Sequence, residues 1–378
     1  MREPEPDRRS LTFYIPNLVV GGAEQVTVNI VNGLARRGYD VELVLSHPVG
    51  ELRSAVTAEV AVTELARSRI PIVGIGAHLP RLVSYLDDAE PTALFAQKTD
   101  ASVVCLAADR LADADTTVVP TEHLAFATTP APSVKSKAVR RLAGQLYPSA
   151  DRIVAVSQGV ADSLVDQLDV PRERVSVLYN PVELDTIRER AREPVEHEWV
   201  EDDDVDVVLF VGRHHPQKDL ATWLRAFARV HETAPDTRAV IAGTGERTEH
   251  LQALADRLGM TDVVSFPGYI DNPYRYMDRA GVFLLSSRFE GLPTVLVEAM
   301  ACGCPVVATD CPSGPREILA DGEYGQLVPV GNVTELASAV EEALEDPVDA
   351  DVLCARADDF APEVVLDEYE RFVRTEIE

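Results

Sequence analysis

The stretch Val282-Phe283-Leu284-Leu285-Ser286-Ser287-Arg288-Phe289-Glu290-Gly291-Leu292-Pro293-Thr294-Val295-Leu296-Val297-Glu298 decides the fold of this chain. Val282 to Ser287 is a mostly apolar run of strand length, and Pro293 suits a first helical turn, where its missing N–H has no partner to lose. Strand, loop and helix therefore follow one another, with Glu290 in the loop and Glu298 inside the helix. Free N–H groups at a helix start form a site for a phosphate-like anion, and carboxylates accept hydrogen bonds from sugar hydroxyls. The arrangement suits a ligand carrying both groups, such as a nucleotide sugar. Two glutamates eight residues apart also arise by chance in a chain with 63 acidic residues, so the surrounding sequence has to support the pair.

Upstream, Phe210-Val211-Gly212-Arg213 reads as a strand end, followed by His214, His215, Pro216, Gln217, Lys218 and Asp219 and a helix pattern from Leu220. Arg213 and Lys218 thus flank one strand-to-helix loop. In open α/β sheets ligands bind at the carboxyl ends of the strands, so these cations and the two glutamates can converge. A guanidinium and an ammonium suit a diphosphate; a solvated surface pair is the plainer alternative. Further strands are expected at Leu11–Leu18, Val41–Leu45, Ala93–Ala96, Thr116–Val119, Ile153–Val156 and Val175–Leu178, then at 207–212, 239–243, 263–267, 282–286, 306–309 and 326–329, alternating with helices, while Glu51 to Ile70 gives no clear signal. Short buried strands alternating with helices imply parallel, doubly wound sheets.

Four elements together make the chain resemble a known family. Glu290-x7-Glu298, the Gly212-Arg213…Lys218 loop, the strand-turn Ile241-Ala242-Gly243-Thr244-Gly245-Glu246, and Gly21-Gly22-Ala23-Glu24 are similar, also in their order along the chain, to the retaining glycosyltransferases of family 4. The resemblance runs from about residue 11 to about residue 330 and implies an α/β fold of the GT-B type, two Rossmann-like doubly wound domains facing a central cleft. Expected boundaries are a disordered tail over 1–10, an acceptor domain over 11–183, an acidic linker over 184–206, a nucleotide-sugar domain over 207–360, and a helix over 361–378 that crosses back to the first domain. By resemblance, Arg213 and Lys218 bind the donor diphosphate, Glu298 holds the ribose hydroxyls, Glu290 contacts the transferred sugar and Thr294 contacts phosphate. Gly243, Gly291 and Leu292 fall among the donor-binding positions, and Gly21 and Gly22 lie over the cleft facing the diphosphate and the acceptor. His123 matches a histidine that contacts the donor sugar, while its neighbour Glu122 has no counterpart with a role. The segment Cys311-Pro312-Ser313-Gly314-Pro315-Arg316-Glu317-Ile318-Leu319 looks like that of transferases extending lipid-linked oligosaccharides. The resemblance implies a nucleoside-diphosphate sugar donor, with UDP the expected nucleotide although the sequence leaves UDP, GDP and ADP open, and neither metal nor cofactor.

Composition bounds these expectations. The 378 residues suffice for two cores. A net charge of −28, with only four lysines (Lys98, Lys135, Lys137, Lys218) among 35 basic residues, reads as adaptation to a salty cytoplasm, or as an acidic mesophilic protein, and argues against general nucleic-acid binding. Five cysteines without a secretory signal point to reduced thiols and a cytoplasmic setting. No histidine stands near Cys302, Cys304 and Cys311, which therefore read as packed thiols rather than a metal site. No run approaches the roughly 18 apolar residues of a membrane span. Yet between Glu122 and Asp151 there is no acidic residue, and Lys135, Lys137, Arg140 and Arg141 alternate there with Val134, Ala138, Val139, Leu142 and Leu146. That pattern fits a helix on an anionic membrane at the inner face of the cell, or equally a helix packed on the first sheet. A nicotinamide enzyme is disfavoured, since Thr248 stands where a third glycine should follow Gly243-x-Gly245. Glycogen- or sucrose-type synthesis, a sugar-nucleotide epimerase and a catalytically silent nucleotide-binding partner stay open; the first is weakened by Val19-Val20, where such enzymes typically carry a lysine.

Overall fold

The structure, a computed structural model, describes residues 9–65, 75–126, 133–202 and 204–377. Most of the expected tail, residues 1–8, lies outside the described residues, and Ser10 already opens the first strand. The chain divides into two compact units, Met1–Pro181 with Pro362–Glu378, and Val182–Ala361.

Among the described residues the first unit holds seven strands: β1 (Ser10–Ile15), β2 (Asp40–Leu45), β3 (Ala61–Glu64), β4 (Ala93–Gln97), β5 (Thr117–Glu122), β6 (Ile153–Ala155) and β7 (Val175–Val177). They pair in parallel in the order β3-β2-β1-β4-β5-β6-β7. Helices α1 (Gly22–Arg36), α2 (Leu79–Ala89), α3 (Thr99–Asp109), α4 (Val134–Leu146) and α5 (Gln158–Leu168) connect them. Strand β3 falls in the stretch without a clear signal, of which residues 66–70 lie outside the described ones. It is a four-residue edge strand with no fully buried side chain, so no apolar alternation announces it. Strand β5 runs past the expected end at Val119 to Glu122, because its pairing with β4 continues to Gln97↔Thr121.

The second unit starts with α6 (Leu184–Ala191) and continues with β8 (Val207–Val211), α7 (Leu220–Thr233), β9 (Arg238–Ala242), α8 (Thr248–Arg257), β10 (Val264–Gly268), α9 (Tyr274–Met277), β11 (Val282–Leu285), α10 (Thr294–Ala301), β12 (Val306–Thr309), α11 (Pro315–Ile318), β13 (Gln326–Val328), α12 (Val333–Glu345) and α13 (Ala350–Ala357). Its six parallel strands are ordered β10-β9-β8-β11-β12-β13. The stretch 184–206, expected as a linker, is packed into this unit: Leu184, Ile187, Ala191, Val195 and Val200 are buried, and Asn272 Nδ2 donates to Arg190 O at 2.8 Å and to Glu193 Oε2 at 2.9 Å. The acidic composition there masks these buried apolar positions. The last helix, α14 (Pro362–Glu376), returns to the first unit, where Tyr369 and Phe372 lie against Phe95, itself stacked 4.8 Å from Phe13.

Both sheets reverse their winding once, between β1 and β4 in the first unit and between β8 and β11 in the second. At such a reversal the loops after the two central strands run to opposite faces and open a crevice at the strands' carboxyl ends. The loops beginning at Arg213 and Ser286 follow β8 and β11, which pair as Val208↔Val282 and Leu209↔Phe283.

Candidate functional site

In the second unit the loop after β8 is built before any ligand is considered. Gly243, with φ +119, lies so close to this loop that a Cβ would collide with the Gly212 carbonyl oxygen. His214 N donates to Thr244 O at 3.0 Å, and its Nδ1 lies 2.9 Å from Thr248 Oγ1. Gly243, expected among the ligand-binding positions, is thus accounted for by the packing of two loops. Next, the His215 ring accepts from Gln217 N at 3.2 Å and Ser286 Oγ donates to Lys218 O at 2.7 Å, which fixes the backbone of residues 215 to 218.

Glu290 is reached from three sides. Lys218 Nζ and Ser287 Oγ both donate to its Oε1, each at 2.6 Å, and Gln217 Nε2 donates to its Oε2 at 3.2 Å and to Phe289 O at 2.9 Å. Ser313 Oγ donates to Glu290 O at 2.6 Å. The carboxylate is only 6% exposed, so these hydrogen bonds are what allow a charge to be held there. Behind it Gly314, at φ +91, leaves no room for a Cβ against Pro293 and the Gly291 carbonyl. Gly291 and Leu292 are buried in the same turn.

Glu298 sits inside α10 and accepts from Thr294 Oγ1 at 3.2 Å. Burial pushes its carboxyl above the ordinary range, against the opposing pull of the Thr294 hydroxyl and the Lys218 charge. Lys218 is therefore electrostatically felt by both glutamates. Pro293 is the residue before the helix and supplies no side-chain cap, which leaves the first-turn N–H groups of α10 without one. Arg213 is not drawn into this group. Its side chain is exposed and, among the described residues, makes no hydrogen bond or ion pair.

The first unit assembles a second group at the carboxyl ends of β1, β4 and β5. Gly21, in extended backbone, precedes α1, and nothing stands within 4 Å of where a Cβ of Gly22 would be. Glu24 in the first turn of α1 is buried and forms an ion pair with Lys98 Nζ. Lys98 holds φ +78, unusual for a side chain with a Cβ. His123 follows β5, and its Nε2 lies 2.7 Å from Oε1 of the fully buried Gln97. Burial and the nearby Lys98 charge push the imidazole down to about 3, so it is neutral at ordinary pH. Glu122, 2% exposed, is pushed up to about 7 by burial, although Tyr147 donates to its Oε1 and Thr99 Oγ1 to its Oε2 at 2.7 Å.

Helix α4 starts with a capping box between Ser133 and Ser136. Only Ala143 and Leu146 are buried; Val134 is 87% exposed and Leu142 45%, while Lys135, Lys137 and Arg141 are exposed. Arg140 lies 5.3 Å from the centre of the Phe126 ring. Residues 127–132 of the acid-free stretch lie outside the described residues. Among the described residues no helix is long and apolar enough to cross a membrane. Cys304 and Cys311 are buried, and among the described residues no three His, Cys, Asp or Glu side chains are grouped to hold a metal ion.

Two parallel sheets, each with its winding reversal and with polar groups at the carboxyl ends, define an α/β protein of the GT-B glycosyltransferase fold. A solved structure of Anabaena HepE with UDP and glucose superposes with a TM-score of 0.79 at 21% identity, covering 97% of this chain and all of that one. The model of Glycosyltransferase Family 4 matches residues 20–186 and that of Glycosyl transferases group 1 matches residues 191–361; the chain belongs to this family of two-domain glycosyltransferases. It is 36% identical over 201 residues to the Campylobacter jejuni N-acetylgalactosamine-N,N'-diacetylbacillosaminyl-diphospho-undecaprenol 4-alpha-N-acetylgalactosaminyltransferase, a match that spans 53% of this chain and about half, 53%, of that relative. A second C. jejuni relative, the GalNAc-alpha-(1->4)-GalNAc-alpha-(1->3)-diNAcBac-PP-undecaprenol alpha-1,4-N-acetyl-D-galactosaminyltransferase, is 26% identical over 89% of both chains.

Proposed function

We propose that the protein transfers a hexose or N-acetylhexosamine, with retention, from a nucleoside-diphosphate sugar to a hydroxyl of a lipid-linked or surface-glycan acceptor, and that UDP is the nucleotide. The observation that carries this reading is the joining of Lys218, Glu290, Thr294 and Glu298 at the winding reversal of the second sheet. The named activities of the two C. jejuni relatives support the sugar class and the lipid-linked acceptor.

In this reading Lys218, Arg213 and the first-turn N–H groups of α10, beside Thr294, Gly291 and Leu292, hold the diphosphate. Glu298 accepts from the ribose hydroxyls and Glu290 from the transferred sugar. His123, a neutral imidazole, meets the sugar, and the loop at Gly21 and Gly22 receives the diphosphate and acceptor. The bond from the anomeric carbon to the diphosphate oxygen breaks while the acceptor oxygen bonds to the same face of that carbon. The acceptor's proton passes to the departing diphosphate. Charge growing on the leaving group is met by fixed cations and N–H dipoles, so the reaction needs no divalent metal and no cofactor. The exposed cations of α4 face an anionic membrane from the cytoplasmic side, where a lipid-linked acceptor is anchored.

Thermal shift with UDP, GDP and ADP and their sugars tests donor binding, since a ligand at 100 times its dissociation constant adds about 2.7 kcal/mol of stability. Transfer to a polyprenyl-diphosphate glycan, with the product anomer read by NMR, tests the reaction. Stabilisation by none of these nucleotides overturns the reading, and release of free or epimerised sugar without an acceptor would make it an epimerase.

A further inference from the structure

Glu290 has few acceptor positions left. A carboxylate oxygen has about two lone-pair directions, and both on Oε1 are taken, by Lys218 Nζ and Ser287 Oγ at 2.6 Å each. Oε2 is engaged once, by Gln217 Nε2. Lys218 in turn gives one of its three N–H donors to Glu290, and the pair is shielded, with side chains 16% and 8% exposed. The cation assigned to the diphosphate is neutralised by the carboxylate assigned to the sugar. Lys218 is also one of only four lysines among 35 basic residues. An ammonium, a compact point charge on a flexible stem, can change partners by small rotations where a planar guanidinium fork cannot.

We propose that Glu290 occupies Lys218 as an internal anion in the free protein, and that the diphosphate of an arriving nucleotide competes for the same ammonium. When the phosphate takes over Lys218, a lone pair on Oε1 is released toward the transferred sugar. Gln217 is the positioning residue that keeps the carboxylate in place through Oε2 during the exchange, since its amide also holds Phe289 O at 2.9 Å. Two consecutive residues of one loop thus link phosphate arrival to presentation of the sugar-binding carboxylate. No covalent step is involved. The inference rests on the donor-site reading above and adds a sign to it: the glutamate opposes binding of the bare nucleotide.

The test is calorimetric titration of the full chain with UDP and GDP, without sugar, in wild type, Glu290→Gln, Glu290→Ala and Gln217→Leu. The alanine variant is included because a glutamine amide cannot accept from all three donors. Removing the competing charge is expected to tighten nucleoside diphosphate binding about fivefold, which corresponds to about 1 kcal/mol at 25 °C. Gln217→Leu is expected to change that affinity less than about twofold while lowering kcat for transfer, with unfolding midpoints monitored to confirm a folded protein. Unchanged or weaker nucleotide binding in both Glu290 variants overturns the exchange, because Glu290 would then orient Lys218 rather than compete for it. If wild type binds neither nucleotide, the donor-site reading itself falls, an outcome distinct from failure of the exchange.

Discussion

At the scale of single residues, the carboxylates differ in what burial does to them. Glu298 is raised by burial beside the Thr294 hydroxyl. If it accepts two ribose hydroxyls, Glu298→Gln leaves one acceptor oxygen, and nucleoside diphosphate affinity falls by about 1.5–3 kcal/mol, the range for hydrogen bonds to charged groups. Calorimetry with UDP measures this, and wild-type affinity would remove Glu298 from the ribose. Glu122 bears on stability instead. Its carboxyl is pushed up to about 7, so the folded state binds a proton that the unfolded chain releases at ordinary carboxyl pKa values. The stability linked to it is fully present below about pH 4.5 and is lost as pH rises through 7. His123, pushed down to about 3, has the opposite sign: its contribution is present above about pH 6.5 and is lost as pH falls. Between these limits the two oppose each other in wild type, so the comparison has to be made against Glu122→Gln. That variant is expected to gain on wild type from pH 5 to pH 7.5, at up to about 1.4 kcal/mol per pH unit; parallel denaturation curves across that range would refute it. Glu290, Lys218 and Glu298 were legible in the sequence because each lies just beyond or within an element whose limits the apolar runs define. Gln97, Lys98, Gln217, Ser287 and Ser313 were not, since their partners are set by which strand ends become neighbours. Arg213 was expected beside Lys218 from their shared loop, and its exposed side chain leaves it open to the diphosphate role proposed for it.

At the scale of elements, the interior strands were readable as apolar runs, because a parallel strand covered on both faces needs no polar alternation. The edge strand β3 had no such run. Within 184–206 the charge outweighed five buried apolar positions, so a packed helix looked like a connection. Helix α4 was legible as basic and amphipathic, but spacing alone left open which of its faces would be covered. Only Ala143 and Leu146 are buried, while Val134, Leu142 and three cations are exposed. Such a helix carries a prediction of its own. Changing Lys135, Lys137, Arg140 and Arg141 to Gln is expected to reduce co-sedimentation with vesicles of anionic lipid at low salt, each cation near such a surface contributing about 1 kcal/mol. UDP binding is expected to persist, since none of these four residues is among those assigned to the diphosphate or the ribose. Undiminished co-sedimentation would assign the basic face to solvent.

At the scale of the whole molecule, the charge of −28 on 378 residues is the property most visible in the sequence and the least local in its effect. Ion pairs such as Arg37 with Asp367 and Glu370, Arg188 with Asp358, and Arg190 with Asp271 engage some of the acidic side chains. With 63 acidic against 35 basic residues, however, pairing cannot neutralise the excess. The remaining repulsion favours expansion and acts over a distance set by salt, with a Debye length of about 10 Å at 0.1 M and about 3 Å at 1 M. Raising KCl from 0.1 M to 1 M is therefore expected to raise the unfolding temperature by several degrees, and NaCl should do nearly the same, because screening depends on ionic strength. Sulfate acts additionally by exclusion from the protein surface, so a rise in sulfate without one in chloride would identify exclusion rather than screening as the cause. A melting temperature that stays level or falls across the chloride series would refute the reading of the acidic composition as adaptation to a salty cytoplasm.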